Sequence, residues 1–201
     1  MAGGAGKLTE SDDLIDALAP VVEALRQLRI RHYVGGSIAS SFHGAARSTM
    51  DVDLVTELGE EDISDFVKCF GEEFYLSNAA IRDAVKHRSC FNLIHLPSSF
   101  KVDIFVSRER PFDLESMQRA KPARLGDSKS LEVPIATAED TIISKLEWYR
   151  LTNETSERQW DDVSKLLKLL GDTVDIAHLQ RAAAMVNVED LLERVLRQRA
   201  D

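Results

Sequence analysis

The chain has 201 residues, enough for one compact domain or two small lobes with a real hydrophobic core. Its hydrophobic content of 44% and its charged content of 29% are ordinary for a globular protein. The net charge of −9 argues against broad, sequence-independent binding to nucleic acid, because such binding requires Lys and Arg to neutralise phosphates, although a local basic site stays compatible with it.

The first half of the chain alternates between helix and strand patterns. A helix begins near Ser11, and we expect Pro20 to divide or kink it. The elements predicted next are a strand at 31–34, a helix at 37–43 that ends at Gly44, a strand at 52–56, helices at 60–70 and 79–87, and strands at 91–96 and 100–106 that form a hairpin.

The second half is mainly helical. A short helix is predicted at 114–119, followed by a loop from 123 that leads into a strand at 131–135. Apolar residues at helical spacing then predict helices at 139–151, 156–170, 176–186 and 188–199. We therefore predict an α/β (α+β) fold with an N-terminal α/β lobe over residues 1–112 and a mainly helical C-terminal lobe over residues 113–201.

The cysteines and the apolar runs bear on the compartment. Cys69 and Cys90 match no zinc-binding spacing, so we expect two free thiols. No apolar run approaches the length of a membrane span, and the N-terminus lacks the basic-then-apolar pattern of a signal peptide. These features predict a cytoplasmic protein that does not act in a membrane.

Two short motifs carry the chemistry of the N-terminal lobe. Gly35, Gly36 and Ser37 follow an apolar strand and open a helix, where free backbone N–H groups bind phosphate oxygens well. Asp51 and Asp53 stand at i and i+2 on the next strand, so both carboxylates point to one face, about 6.6 Å apart. Two carboxylates so placed repel each other unless a cation lies between them, which favours a divalent metal.

A third acid, Asp103, lies in the strand at 100–106, where alternation puts Lys101, Asp103 and Phe105 on one face. If this strand pairs with the strand of Asp51 and Asp53, three carboxylates converge on one patch of sheet. Hard oxygen ligands suit Mg²⁺, and two such ions promote in-line displacement at phosphorus. The plain alternative is a solvent-facing pair of acids and a tight glycine turn.

These motifs together resemble the DNA polymerase β-type nucleotidyltransferase superfamily. The longer pattern, which adds His43, Gly44, Arg47 and Thr49, resembles the small bacterial nucleotidyltransferases grouped with abortive-infection and type IV toxin–antitoxin toxins. The resemblance covers residues 33–106 and extends more loosely to about residue 170. It implies a small mixed β-sheet core flanked by helices, an NTP substrate bound through Mg²⁺ ions, and Asp51, Asp53 and Asp103 as metal-binding and catalytic residues.

The resemblance also implies nucleotide-binding residues. Gly35, Gly36 and Ser37 would hold the triphosphate, and Arg47 would either contact phosphate or pair with an acid. Lys145 lies at the edge of the apolar face of its helix, so it must either extend outward to water or meet a buried anion.

The related toxins have a lysine, on a helix after the third acid, that helps bind the nucleotide phosphates. The resemblance implies this role for Lys145. Asp162 would orient Lys145 or Arg158, or else be a solvated acid.

The leading hypothesis is a Mg²⁺-dependent nucleotidyltransferase that moves NMP from an NTP to a hydroxyl of RNA such as tRNA, of a protein, or of a small molecule, as in aminoglycoside-type enzymes. The resemblance implies a toxin with a possible antitoxin partner, although its RNA-modifying members often have a more basic surface than this chain. The alternative is a non-catalytic module of the same fold that binds a partner of such a system.

Overall fold

The computed structural model describes residues 5–45 and 49–200, with side chains described over 12–45 and 49–198. Contacts divide the chain into two compact units, each built from several segments. The first unit takes the described parts of 1–34, 49–108 and 120–135, and the second takes those of 35–48, 109–119 and 136–201. The lobe boundary between residues 112 and 113 stays a prediction.

The first unit holds all the strands described here and three helices. In chain order these elements are α1 (Ala5–Gln27), β1 (His32–Val34), β2 (Asp51–Thr56), α3 (Ile63–Lys68), β3 (Phe74–Tyr75), α4 (Asn78–His87), β4 (Cys90–His95), β5 (Phe100–Val106), β6 (Lys121–Leu125) and β7 (Leu131–Ile135). The second unit holds α2 (Gly36–Phe42), α5 (Pro111–Arg119), α6 (Ala138–Leu151), α7 (Glu157–Leu170), a short 3₁₀ turn (Gly171–Thr173), α8 (Ile176–Val186) and α9 (Glu189–Ala200).

The strands form one mixed sheet in the order β3-β4-β5-β2-β1-β7-β6. Parallel pairing joins β2 to β5 and β1 to β7, and the other neighbours are antiparallel. The predicted hairpin is confirmed as β4 and β5, and β1 and β2 match the strands predicted at 31–34 and 52–56. The predicted mixed α/β fold class is therefore confirmed.

Helix α1 does not end at Pro20, which lies inside it. Pro20 therefore does not divide the helix, and the alternative expectation of a kink at Pro20 stays a prediction. Leu18, Val21, Val22 and Leu25 are fully buried on both sides of the proline, which is itself exposed. Burying this apolar stripe offsets the hydrogen bond that the proline cannot donate.

Strands β3 and β6 were not expected from the sequence. Strand β3 has only two residues, and its pairing with β4 is too short to leave a pattern. Strand β6 falls where a loop was predicted, because Lys121, Pro122 and Arg124 break the apolar alternation. Proline and basic residues are typical of an edge strand, and β6 is an edge of this sheet.

The helices of the second unit surround their own hydrophobic core. Helices α6 to α9 lie within a residue or two of the predicted ranges. Side-chain caps define the first turns of α6 and α8: Thr137 accepts a hydrogen bond from the Asp140 N–H, and Asp175 accepts one from the His178 N–H. The buried leucine and isoleucine side chains of this core come from α6 to α9: Ile142, Ile143, Leu146, Leu166, Leu167, Leu179, Leu191 and Leu192.

None of the helices in the described part of the chain combines the length and the apolar character needed to span a membrane.

Candidate active site

The pairing of β2 with β5 brings two of the predicted acids side by side. Asp53 lies directly opposite Asp103, and Asp51 lies opposite Lys101. Residues directly opposite each other on neighbouring strands point to the same face of a sheet. Asp51, Asp53 and Asp103, called the acidic patch below, therefore share one face of the first unit, and all three are half-buried.

Strand β4 extends this face by one more position in each row. Asn92 lies opposite Asp103, and Ile94 lies opposite Lys101. One row across the sheet thus reads Asn92, Asp103 and Asp53, and the adjacent row reads Ile94, Lys101 and Asp51. Asn92 is exposed, so it offers an amide at the border of the acidic patch.

Two carboxylates of the acidic patch have defined partners. The Lys101 Nζ lies 2.7 Å from Asp103 Oδ2. The Thr49 hydroxyl donates a short hydrogen bond to Asp51 Oδ1. The hydrogen bond to Asp103 raises the pKa of Lys101, and the charges of Asp103 and Asp51 add to that effect. The ammonium group of Lys101 therefore neutralises part of the charge of the patch.

The thiol of Cys90 reports the same concentration of negative charge. Loss of solvation first, and then the charges of Asp103 and Asp53, raise the pKa of Cys90 to about 12. Both cysteines are free, as expected, and at such a pKa Cys90 stays a neutral thiol at pH 7. We therefore assign no nucleophilic role to Cys90.

The Gly-Gly-Ser turn opens helix α2 of the second unit. The chain passes from Val34, the last residue of β1, into Gly35, and α2 begins at Gly36. Gly36 has a φ of +54°, a left-handed conformation that side chains with a Cβ rarely adopt. Ser37 is buried within the first turn. The sequence prediction of a turn that requires glycine is confirmed at Gly36, whereas binding of phosphate there stays a prediction.

Lys145 and Asp162 form a buried ion pair between α6 and α7. The Lys145 Nζ lies 2.7 Å from Asp162 Oδ2 and 3.3 Å from the Gln159 side-chain oxygen. Only 4% of Lys145 and 2% of Asp162 are exposed. Lys145 therefore does not extend outward to water, and of the two partners proposed for Asp162 the structure shows Lys145.

No protein-family model and no curated protein matches the chain. The solution structure of the antibiotic-resistance factor ANT(2'')-Ia is similar to it with a TM-score of 0.52 and 10% identity, over 94% of this chain and 97% of that one. A crystal structure of an antigenic nucleotidyltransferase-like protein from Paracoccidioides brasiliensis is similar with a TM-score of 0.51 and 19% identity, over 93% of each chain.

The chain has a nucleotidyltransferase fold. The fold that the resemblance implies is thus confirmed, and identities of 10% and 19% show the fold alone.

The acidic patch of this nucleotidyltransferase fold fits a divalent metal by its donor chemistry. Its carboxylate oxygens are hard ligands, and their partial exposure leaves room for the water molecules that Mg²⁺ retains. Within residues 5–45 and 49–200, however, no three His, Cys, Asp or Glu side chains converge as a ready-made ligand set. Lys101 and Thr49 instead engage Asp103 and Asp51. Binding of a metal therefore requires these carboxylates to change partners.

One predicted nucleotide-binding residue, Arg47, lies outside the described residues.

A buried polar cluster in the second unit was missed from the sequence. Asp140 accepts hydrogen bonds from the Thr137 hydroxyl at 2.7 Å and from Arg119 Nε at 3.2 Å. Its other oxygen lies 2.6 Å from Nε2 of His178, which is fully buried. The cluster joins α5, α6 and α8, so we assign it a structural role.

Proposed function

We propose that this protein is a Mg²⁺-dependent nucleotidyltransferase that transfers NMP from an NTP to a hydroxyl acceptor and releases pyrophosphate. The observation that supports the proposal most strongly is the register of β2 and β5, which sets Asp53 beside Asp103 and puts Asp51 on the same face. That acidic patch lies in a chain whose fold is that of a nucleotidyltransferase.

The proposed site holds two divalent ions, and their ligands would be Asp51, Asp53 and Asp103. When bound, such ions polarise the α-phosphate and make the attacking hydroxyl more acidic. The acceptor oxygen forms a bond to the α-phosphorus, and the bond from that phosphorus to the bridging oxygen breaks, so pyrophosphate leaves with the electron pair. Asp103 would orient the hydroxyl and take its proton.

Five residues are proposed to bind the triphosphate: Gly35, Gly36, Ser37, Arg47 and Lys145. Backbone N–H groups at Gly35, Gly36 and Ser37 suit phosphate oxygens, because the first N–H groups of a helix have no partner within it. Lys145 would contribute a positive charge, and Arg47 a second one. Asp162 fixes the position of the Lys145 ammonium through the 2.7 Å ion pair, so it would act as a positioning residue.

Three features bear on the class of the acceptor. The net charge of −9 favours a protein or a small molecule over RNA, because RNA needs cationic surface. The resemblance to bacterial toxins favours RNA such as tRNA, a cytoplasmic site of action and an antitoxin partner. The similar fold of an antibiotic-resistance factor adds weight to a small molecule. We include all three classes in the proposal, and the experiment below separates them.

The test uses the purified protein with each of the four α-³²P-labelled NTPs, 5 mM Mg²⁺ as a working concentration on the order of cellular levels, and a bacterial extract as acceptor source. We expect label from one NTP or a few to enter the extract, and EDTA to abolish the transfer. Digestion of the labelled material with nuclease or with protease assigns the acceptor to RNA or protein, and label resistant to both indicates a small molecule.

A toxin role adds a second expectation, that expression of the chain arrests bacterial growth and that a neutralising partner restores it. Label transfer without growth arrest would leave the enzyme proposal standing and remove the toxin role. Absence of transfer with any NTP, together with stable capture of a partner, would contradict the enzyme proposal and support a non-catalytic binding module.

A further inference from the structure

Lys101 occupies a position in the acidic patch that the proposed chemistry does not explain. It lies two residues before Asp103 on the same strand, so both side chains point to one face, and it lies directly opposite Asp51 on β2. Its ammonium nitrogen is 2.7 Å from Asp103 Oδ2. The cation of this side chain thus contacts one proposed metal ligand and faces a second.

The contact has the geometry of a pair that can open. The side chain of Lys101 is 41% exposed, whereas that of Asp103 is only 14% exposed. The lysine can therefore swing into water on its flexible four-carbon stem, while the carboxylate stays at the sheet.

An ammonium ion and a divalent ion compete for such a carboxylate. Both bind its oxygen lone pairs at short range, and their like charges repel each other when they are held a few ångströms apart. Full coordination of Mg²⁺ or Mn²⁺ by Asp103 therefore requires the Lys101 ammonium to move away. In the protein without metal, the same lysine lowers the repulsion among the three carboxylates.

We propose that Lys101 competes with the divalent ion for Asp103. It holds Asp103 in the metal-free protein and leaves that carboxylate when an ion binds. Lys101 therefore sets the metal concentration at which the acidic patch binds the ion. This inference rests on the proposed function, because it takes the acidic patch as the metal site. It assigns Lys101 as a positioning residue that acts through Asp103.

The experiment measures Mn²⁺ binding to the full chain without nucleotide, using the electron paramagnetic resonance signal of free Mn²⁺. Lys101→Met is compared with the wild type, since methionine keeps much of the stem and removes the charge. The matched control is Lys68→Met, which removes the same charge from an exposed pair with Asp65 on α3. We expect Lys101→Met to bind Mn²⁺ about tenfold more tightly than the wild type, and Lys68→Met to bind within about twofold of it.

Thermal unfolding provides a second readout that does not depend on activity. Without metal, Lys101→Met is expected to unfold at a lower temperature than the wild type, because the repulsion among its carboxylates is less well compensated. Saturating Mn²⁺ should raise its unfolding temperature more than it raises that of the wild type. The circular dichroism spectrum of the metal-free variant should match that of the wild type, which verifies that both proteins have the same fold.

The outcomes separate this inference from the proposed function. In one outcome the wild type binds Mn²⁺, Asp53→Asn does not, and Lys101→Met binds no more tightly than the wild type. The acidic patch is then a metal site, and the competitor role of Lys101 is wrong. Weaker binding by Lys101→Met would also overturn it. If the wild type, Asp53→Asn and Lys101→Met all fail to bind Mn²⁺, both the metal site and this inference fail.

Discussion

Replacing Asp53 with asparagine is expected to slow label transfer roughly a thousandfold while the protein stays folded. Asp53 lies directly opposite Asp103 in the β2–β5 pairing, so its carboxylate is central to the proposed metal site. Loss of metal-based charge stabilisation costs several kcal/mol in the transition state, and each 1.36 kcal/mol is about a factor of ten in rate. The amide has nearly the same shape, and it removes repulsion from the patch.

Initial rates of label transfer at saturating Mg²⁺ measure this effect, and urea unfolding measures stability. Asp83→Asn is the matched control, because Asp83 is an exposed acid of the same unit that pairs with His87 on α4. We expect the control to keep wild-type activity, and both variants to unfold within about 1 kcal/mol of the wild type. An Asp53→Asn variant that transfers label at the wild-type rate would show that the acids are wrongly assigned.

Replacing Asp162 with alanine is expected to lower the free energy of unfolding by about 3–5 kcal/mol, because it removes the carboxylate partner of a buried ammonium. Lys145 is 4% exposed and lies 2.7 Å from Asp162. The Lys145 contact with Gln159, at 3.3 Å, is to a neutral oxygen and compensates only in part. Urea unfolding followed by circular dichroism measures the loss.

The neighbouring acid gives the control for this prediction. Asp161 is exposed on the same helix, and Asp161→Ala should change stability by no more than about 0.5 kcal/mol. Adding Lys145→Met to Asp162→Ala should recover part of the stability, because the buried ammonium charge is then removed as well, yet nucleotide binding should stay impaired. A double variant that binds NTP like the wild type would exclude Lys145 from the nucleotide site.

Much of this fold could be predicted because long apolar patterns define it. Helices α6 to α9 repeat apolar residues at helical spacing, and strands β2 and β5 alternate cleanly, so their bounds were close to those observed. Strand β6 was not predicted, because Pro122 and its basic neighbours are typical of a loop unless the strand is known to lie at the edge of the sheet. Helix α1 continues through Pro20, because burial of its apolar side chains outweighs the low helix propensity of proline.

The face of the sheet on which each acid of the candidate site lies could be predicted, whereas the partners of their side chains could not. Strand alternation put Asp51 and Asp53 on one face and Lys101 beside Asp103, and the pairing of β2 with β5 then made the acidic patch. Alternation specifies a face but no partner, so the Lys101–Asp103 ion pair could not be predicted from it. The same holds for Asp140 and His178, which are 38 residues apart and meet only when α6 and α8 pack.

The central claim is that Asp51, Asp53 and Asp103 jointly bind divalent metal, and anomalous X-ray diffraction from crystals grown with Mn²⁺ and a non-hydrolysable NTP tests it most directly. The account predicts an anomalous peak within about 2.5 Å of carboxylate oxygens of all three acids, with Lys101 turned away from Asp103. A Mn²⁺ peak elsewhere in the protein, with the Lys101–Asp103 pair intact and nucleotide bound, would contradict it.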